Sequence, residues 1–402
     1  MRLLVVCGAG VVYGRELVTI SLIEGLRDRG HEVQCLTTTW GDGEFAKLLE
    51  KGSIPYTCLP LGFISKTVSW PAIWMTLDQI RKLPTLWHGF KKLIKSFRPD
   101  IVVHSNFHHI FVLWPLLKTE INVFHVHDNF PATAFYRRLF KILSRRIALF
   151  LGVSKFVANT LMNLGVPKHK VFHVLNGVAF DDSEYRSGSN GDENLSQHNG
   201  AIRIGIVGQV DEWKGHEDLI DALHILDEKQ EPFVCKIFGA GSDLFAARLK
   251  NKIAEYGLTN KIEWMGFNPN RKSIYDSLDV CVVPSRMSEA FGMVAAEALM
   301  YGVPVVASRA GALPEVVLHG DSTYLVDPRS PEQIADQLVV LSDFSATRSE
   351  RSRRIANAQT LAALSAKRMV DEMEGFLNQL VGGALHKRPL TTKSKLARGS
   401  GR

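Results

Sequence analysis

The chain has 402 residues, of which 46% are hydrophobic and 22% are charged, and its mean hydropathy is +0.00. This balance is typical of a globular protein that buries a large core, and it excludes disorder throughout the chain. The formal charge of +7 arises from 48 Lys and Arg residues against 41 Asp and Glu residues. Six of those cations lie in the acid-free segment 386–402, so the remainder is nearly neutral and is not expected to bind nucleic acid through a general positive field.

The cysteine pattern predicts a reducing, cytoplasmic environment. Of five cysteines, four lie inside apolar runs: Cys7, Cys35, Cys235 and Cys281. Such cysteines are expected to be small buried hydrophobic residues and not disulfide partners or metal ligands. No run of eighteen apolar residues occurs in the sequence, so no membrane-spanning helix is predicted.

Short runs rich in Val, Ile and Leu alternate with longer amphipathic stretches, and this alternation occurs twice along the chain. It is typical of β-α-β units that form parallel sheets buried on both faces. In the first half, strands are predicted at 2–6, 31–37, 56–59, 101–104, 123–127, 149–153 and 172–175. In the second half, they are predicted at 202–207, 233–238, 262–265, 280–283, 304–307 and 324–326.

The division into domains follows from composition. Residues 1–180 are predicted to form the first domain, and the polar segment 181–200 a linker. Residues 201–382 are predicted to form the second domain together with one or two terminal helices within 345–380, and residues 383–402 a disordered basic tail. The predicted fold class is α/β, with two Rossmann-like, doubly wound parallel-sheet domains facing across a cleft. Ligands of open parallel sheets bind beyond the carboxyl ends of the strands, so candidate site residues are sought there.

The first predicted strand is followed by a loop with glycines at positions 8, 10 and 14. The third glycine is one residue late for a dinucleotide fingerprint, and the second strand ends on Thr37 and Thr38 and not on an acid, so NAD binding is disfavoured. Gly10 could still let backbone N–H groups approach an anionic ligand at the start of the following helix. The alternative is a purely structural turn.

The second domain carries the most informative residues. Lys214 follows a predicted strand, beside a glycine, where it could meet a phosphate as a point charge. Glu289 and Glu297 are eight residues apart, which is at most about 12 Å along a continuous helix. That exceeds the roughly 5 to 9.5 Å between the two carboxyls of glycosidases, so the pair suits two contacts along a longer ligand. A diphosphate could bind where this helix begins, near Phe291 and Gly292; the alternative is two solvated helix acids.

The Gly-rich first loop, GQVDEWKG and SEAFGMVAAEALMYGVPVVAS together resemble the retaining, family-4 glycosyltransferases of GT-B fold. The resemblance extends from the first loop to Val326 and is most specific within 279–308. It implies a nucleotide-sugar donor, most simply a UDP- or GDP-sugar, bound mainly by the second domain. It also implies an acceptor bound mainly by the first domain and no required cofactor or metal.

The resemblance also assigns roles to single residues. Glu289 corresponds to the Glu that contacts the donor sugar, Glu297 to the Glu that binds the ribose hydroxyls, and Lys214 to the lysine on the diphosphate. Many members have Arg where this chain has Gln209, so diphosphate binding would depend more on Lys214 and on backbone amides. The complete set of donor-binding candidates is Gly10, Gln209, Lys214, Glu289, Ala290, Phe291, Gly292, Met293, Val294 and Glu297.

On the acceptor side, His127 and Asp128 end a predicted strand, where the family often has a His-Asp pair close to the reacting sugar. His127 is therefore the third catalytic candidate beside Glu289 and Lys214, with a structural histidine as the alternative. His104 and Asn106, at the end of the preceding strand, are candidates for lining the acceptor side. The histidines at that strand end, His104, His108 and His109, lack Cys or acidic residues at ligand spacing, so no metal site is predicted there.

Cationic and apolar residues mix at helical spacing in 91–95 and in 136–146, where Arg137, Lys141 and Arg145 recur every four residues. These helices could contact an anionic inner membrane surface peripherally and bring the enzyme to a lipid-linked acceptor. A solvated helix face is the alternative.

The resulting hypothesis is hexosyl transfer from a nucleoside diphosphate sugar to a hydroxyl of a glycan, lipid-linked sugar or small molecule, in cell-envelope polysaccharide synthesis. A nucleotide-sugar epimerase of the same fold and a non-catalytic sugar-nucleotide-binding protein are the alternatives.

Overall fold

The computed structural model describes residues 1–8, 10–62, 70–118, 120–179, 201–318, 323–342 and 362–383. The predicted linker, 181–200, and all but the first residue of the predicted basic tail lie outside these ranges.

The first domain is built on a seven-stranded parallel sheet with the strand order β3-β2-β1-β4-β5-β6-β7. Its strands are nearly continuous apolar runs because helices cover both faces of the sheet. The strands are β1 (Arg2–Val6), β2 (Glu32–Thr38), β3 (Tyr56–Leu59), β4 (Ile101–His104), β5 (Ile121–Val126), β6 (Ile147–Gly152) and β7 (Val171–His173). Each prediction agrees with the structure to within a few residues.

Helices follow these strands, and three of them begin at polar caps. The side chains of Asn106, Thr133 and Ser154 each accept a backbone N–H of the first helical turn that follows them. The helices are α1 (Gly14–Asp28), α2 (Glu44–Lys51), α3 (Trp70–Phe97), α4 (Phe107–Leu113), α5 (Ala134–Leu143) and α6 (Lys155–Asn163).

The second domain has a six-stranded parallel sheet with the order β10-β9-β8-β11-β12-β13. Its strands are β8 (Ile202–Val207), β9 (Phe233–Phe238), β10 (Ile262–Gly266), β11 (Val280–Val283), β12 (Val305–Ser308) and β13 (Thr323–Val326). Its helices are α7 (His216–Glu228), α8 (Asp243–Glu255), α9 (Arg271–Asp276), α10 (Met293–Met300), α11 (Leu313–Val317) and α12 (Pro331–Leu341). Two doubly wound parallel sheets confirm the predicted fold class.

The two domains touch at the start of α6. The Ser154 hydroxyl donates to the carbonyl oxygen of Ala290 at 2.7 Å. The backbone N–H groups of Lys155 and Phe156 donate to the Glu315 carboxylate at 2.8 and 2.6 Å. A negative charge at a helix N-terminus is favourable, so this contact joins the domains next to the loop that carries Glu289.

The last described helix, α13 (Ala366–Val381), packs on the first domain, so its predicted assignment to the second domain is wrong. Its apolar face, including Met369 and Met373, belongs to the same buried cluster as Leu22 of α1. Arg29, which directly follows α1, also pairs with Asp371. The apolar stripe of a helix indicates that the helix is buried but not which domain it packs against. The domain of α13 could therefore not be predicted from the sequence.

Cys7, Cys35, Cys235 and Cys281 are free and buried, as predicted from their apolar surroundings. Within the described ranges, no helix has the length and apolar character needed to cross a bilayer.

Candidate functional site

The candidate donor site centres on a lysine-glutamate pair in the second domain. The Nζ atom of Lys214 lies 2.7 Å from Oε1 of Glu289, and the Ser285 hydroxyl donates to the same oxygen at 2.7 Å. The two paired side chains are only 16% and 11% exposed. Residues 75 positions apart in sequence therefore form one charged, largely desolvated group at the carboxyl ends of β8 and β11.

Local backbone structure fixes both members of the pair. Asp211 caps a single 3₁₀ turn, Glu212–Lys214, which places Lys214 directly after β8. Glu289 lies in an extended segment that bridges to Gly311, and its carbonyl oxygen accepts the N–H of Ala312 at 2.9 Å. Neither side chain depends on a long flexible loop for its position.

Helix α10 begins at Met293, after Gly292 with a φ of 106°. The sequence placed this start near Phe291, and in the structure it lies two residues later. Gly292 is favoured because its φ lies in the left-handed region, where other residues are strained. Glu289 therefore approaches from before the helix, and the estimate of its distance from Glu297 along a continuous helix does not apply.

The N-terminus of α10 opens toward Lys214. Gly292 supplies no capping side chain, so the N–H groups of the first turn and the helix dipole are directed at this space. A Cβ atom built on Gly208 would lie 3.9 Å from Cε of Lys214 and 4.0 Å from Cγ2 of Val294. Gly208 thus lies close to both Lys214 and the start of α10, and an anion bound beside it would meet a cation and backbone donors.

The neighbouring candidates face the first domain. Met293 lies against α1, because a Cβ on Gly14 would be 3.1 Å from Cγ of Met293. Asn176 Nδ2 lies 4.0 Å from the Met293 sulfur. Phe291 is buried, whereas Gln209 is exposed. The first loop and the candidate donor helix therefore meet across the domain boundary.

Glu297 is held by two residues that the sequence did not single out. Its carboxylate accepts a hydrogen bond from the Tyr275 hydroxyl at 3.1 Å and pairs with Arg271 Nε at 2.7 Å. Burial raises the pKa of Glu297, and the nearby Arg271 opposes that rise. Both partners come from α9, whose short sequence gives no local sign of this contact.

Arg286 is a further residue near the site that the sequence did not single out. Its guanidinium binds both carboxylate oxygens of Asp218, at 2.7 and 2.6 Å, and Glu217 at 3.0 Å. Its backbone N–H donates to the carbonyl oxygen of Trp213. Bidentate arginine-carboxylate pairs are rigid, so Arg286 fastens the segment carrying Glu289 to the turn carrying Lys214.

On the first domain, His127 follows β5 and is half-buried. Its Nε2 atom lies 3.1 Å from Nδ1 of His125. Burial lowers the pKa of His127 well below 6.5 and lowers the pKa of His125 to about 4. Both rings are therefore neutral at pH 7, and the pair shares a single proton in its hydrogen bond.

The prediction that His104 lines the acceptor side is wrong. The side chain is fully buried, and its Nε2 atom lies 3.0 Å from Oδ1 of Asn122. Because β4 is central in the sheet, this position faces the core. Asn106 caps α4 by accepting the N–H of His108, which gives it a structural role at that strand end.

The remaining first-domain candidates lie near one another. Arg15, at the start of α1, pairs with Glu16 at 2.9 Å and lies 3.7 Å from Oδ2 of Asp128. Arg15 was not singled out from sequence, and it links the first loop to the strand end that carries His127. A Cβ on Gly10 would lie 2.7 Å from the Trp40 ring, so a larger residue there would have to displace that ring. Among the residues that the structure describes, no three His, Cys, Asp or Glu side chains are close enough to hold a metal ion.

Two family models match the chain. The model for Glycosyl transferases group 1 matches residues 192–360, and the model for Glycosyltransferase Family 4 matches residues 12–182. Each matches most of one predicted domain, and together they leave residues 1–11, 183–191 and 361–402 without a match.

Curated relatives match in part. An uncharacterized protein in the cps region of Klebsiella pneumoniae is 28% identical over 197 residues, which is 49% of this chain and 52% of that protein. The D-inositol 3-phosphate glycosyltransferase of Corynebacterium glutamicum is 31% identical over 196 residues, 46% of each chain. The aligned part of this chain thus spans about half the length of these relatives.

Among solved structures, Anabaena HepE in complex with UDP and glucose aligns with a TM-score of 0.74 over 94% of this chain and 99% of that chain. At 19% identity, this similarity establishes the shared fold alone. The two family models, one for each domain, show that the chain belongs to the glycosyl transferases group 1.

Proposed function

We propose that the protein is a retaining glycosyltransferase that moves a hexosyl unit from a nucleoside diphosphate sugar to a hydroxyl acceptor, without a metal ion. The observation that carries the proposal is the Lys214-Glu289 pair beside the open N-terminus of α10. UDP in the HepE structure makes a UDP-sugar the first donor to test, with GDP-sugars next.

In this proposal the diphosphate binds between Lys214 and the first turn of α10. The bond from the sugar carbon to the diphosphate oxygen breaks, and its electron pair stays on the diphosphate. Lys214 and the backbone N–H groups stabilise that developing charge in a site from which much of the water is excluded. Glu289 positions the sugar through hydrogen bonds, and it is not proposed as a covalent nucleophile. Glu297 binds the ribose hydroxyls at the far end of the donor.

The acceptor hydroxyl attacks the same sugar carbon from the first-domain side, and its proton passes to the departing diphosphate. His127 and Asp128 lie at that side of the candidate site. Because His127 is neutral at pH 7, it can hydrogen-bond a sugar hydroxyl without adding positive charge near the reacting carbon. In the proposal His127 contacts the reacting sugar, and Asp128 holds the neighbouring Arg15 in place.

The proposed acceptor is a glycan or lipid-linked sugar in cell-envelope polysaccharide synthesis, reached by peripheral contact of the basic first-domain helices with the inner membrane face. The relative in the cps region supports this direction, as do the exposed Arg137, Lys141 and Arg145. A cytoplasmic location is part of the same proposal.

The test measures nucleoside diphosphate release from UDP-, GDP- and ADP-sugars by the full chain, with and without hydroxyl acceptors. Release from one donor, reduced at least a hundredfold in Lys214→Ala and Glu289→Ala, is the expected result. Lys252→Ala is the matched control, since Lys252 pairs with Asp221 in the same domain away from these residues. Absence of both release and nucleotide binding would contradict the transferase proposal, and conversion of donor to an epimer would contradict transfer.

A further inference from the structure

A cavity of about 470 Å³ opens in the first domain between α3, α4 and α5, and none of the candidate donor-site residues lines it. One face of α3 forms its longest wall, through Thr76, Gln79, Ile80, Leu83 and Trp87. The volume falls within the range of small-molecule pockets, which is roughly 300 to 1,000 Å³.

The lining of this cavity is almost entirely apolar. Trp114, Leu139 and Leu143 contribute side chains from the other two walls. The indole N–H of Trp87 donates to the carbonyl oxygen of Val112, so it offers no free polar group to a ligand. Such a lining suits a hydrocarbon chain, because a polar ligand would lose its hydration with few hydrogen bonds in return.

The mouth of the cavity is itself apolar and exposed to solvent. Ile80, Phe111 and Ile142 all line the cavity, and they are 56%, 53% and 41% exposed. Along α3 the exposed surface continues through Trp74 and Leu77, which are 68% and 51% exposed. A contiguous patch of large apolar side chains marks a binding surface for a membrane or another apolar partner.

Cations border this mouth. The segment 134–146 contains five Lys and Arg residues and no carboxylate. Arg138 lies one helical turn before Ile142, so the two are neighbours on the surface of α5. Arg138, Lys141 and Arg145 are exposed, and in the described part of the chain no carboxylate pairs with them. Positive charge beside an apolar opening is complementary to the anionic headgroups and acyl chains of a bilayer.

We infer that this cavity takes one acyl chain of an anionic bilayer lipid, while α3 and α5 rest on the membrane and their cations meet the headgroups. The inference rests on the membrane contact in the proposed function, for which it supplies a specific site. Seating the first domain in this way would hold its candidate acceptor side at the membrane surface, where a lipid-linked hydroxyl is found.

The first test is sedimentation of the full chain with vesicles of phosphatidylglycerol and phosphatidylcholine, compared with phosphatidylcholine alone. Binding to the anionic vesicles that weakens with salt is expected. Ile80→Glu should lower the affinity at least tenfold, and Arg138→Glu by about fivefold or more. The matched controls are Leu244→Glu and Lys250→Glu, exposed residues of α8 in the second domain, which should bind as the wild type does. Equal binding by all variants would overturn the inference.

The second test asks whether a chain enters the cavity. In a Trp74→Phe background, which removes the exposed tryptophan of α3, vesicles with brominated acyl chains should quench tryptophan fluorescence, and replacing Trp87 and Trp114 together by Phe should remove most of that quench. A quench that is unchanged in this variant would show surface docking without chain entry, and would overturn the cavity assignment. UDP binding measured on the same samples separates the two proposals, because it should be unaffected by every variant in α3 and α5. Thermal unfolding of each variant establishes that it is folded.

Discussion

Replacing Lys214 by Met removes the only cation that the described residues place against Glu289, while keeping a side chain of similar length. In the folded protein without ligand, the Glu289 carboxylate then retains only the Ser285 hydroxyl. In the proposed reaction, the departing diphosphate loses its point charge and keeps only the backbone N–H groups of α10. The substitution should therefore affect both stability and turnover, by different amounts.

The expected magnitudes follow from burial. With side chains only 16% and 11% exposed, loss of one charge-assisted hydrogen bond should lower the free energy of unfolding by about 1 to 3 kcal/mol. Loss of a donor aimed at transition-state charge costs about 10²- to 10³-fold in turnover. The effect on kcat with the best donor should therefore be larger than the stability loss alone can explain.

The assay is kcat and KM for nucleoside diphosphate release, together with urea unfolding of each variant. Lys252→Met breaks a pair of similar length with Asp221, in which the two side chains are 26% and 28% exposed. That control should lose at most about 1 kcal/mol of stability and keep its turnover. The double variant Lys214→Met with Glu289→Gln should regain stability, since no unpaired carboxylate remains, and should stay inactive.

Turnover of the donor by Lys214→Met within threefold of the wild type would contradict the proposed role of Lys214. It would also fail if Lys252→Met lost turnover to the same extent. The first result would mean that the diphosphate does not depend on Lys214, and the second that any broken ion pair in this domain disables the enzyme.

Three further outcomes are expected. Tyr275→Phe removes the hydrogen bond to buried Glu297 and should lower the free energy of urea unfolding by about 1 to 2 kcal/mol, whereas Tyr324→Phe should change it little. Burial lowers the pKa of His104 to about 4, whereas its pKa in the unfolded chain is about 6.5. As pH falls, the unfolded chain therefore binds a proton before the folded chain does. The free energy of unfolding should be constant above about pH 6.5 and should decrease between pH 6.5 and pH 4. The slope should be about 1.4 kcal/mol per pH unit for each such histidine, and His104→Gln, checked by urea unfolding at several pH values, should lower it by one proton's share. Glu315→Gln weakens the carboxylate contact to the start of α6. Amide hydrogen exchange in the first turn of α6 should therefore become faster, while exchange in α8 stays the same. Equal exchange rates in the wild type and the variant would exclude this contact as a link between the domains.

Much of the framework could be predicted from local sequence. Strands of both sheets were found from apolar runs, because a strand buried on two faces requires nearly every residue to be apolar. Lys214 and Glu289 were singled out because each follows a strand, and ligands of parallel sheets bind beyond the carboxyl ends of the strands. Their chemistry and their place in the chain are properties of a few neighbouring residues.

Contacts between residues far apart in the sequence could not be predicted from these local patterns. Arg271 and Tyr275 hold Glu297 from a helix more than twenty residues earlier, and nothing in the spacing of α9 indicates this. His104 illustrates the opposite error, because a polar residue at a strand end looks like a site until the neighbouring strands show that it is enclosed.

Local sequence was sufficient to predict the strands, their division between two parallel sheets, and the residue types that could bind a diphosphate. The tertiary structure alone decided that α13 returns to the first domain, that Lys214 and Glu289 meet at 2.7 Å, and that α3, α4 and α5 leave an apolar cavity between them. The physical reason is that periodicity and propensity act over a few residues. Burial, ion pairing and cavities depend on which surfaces meet, and that is fixed only when the whole chain packs.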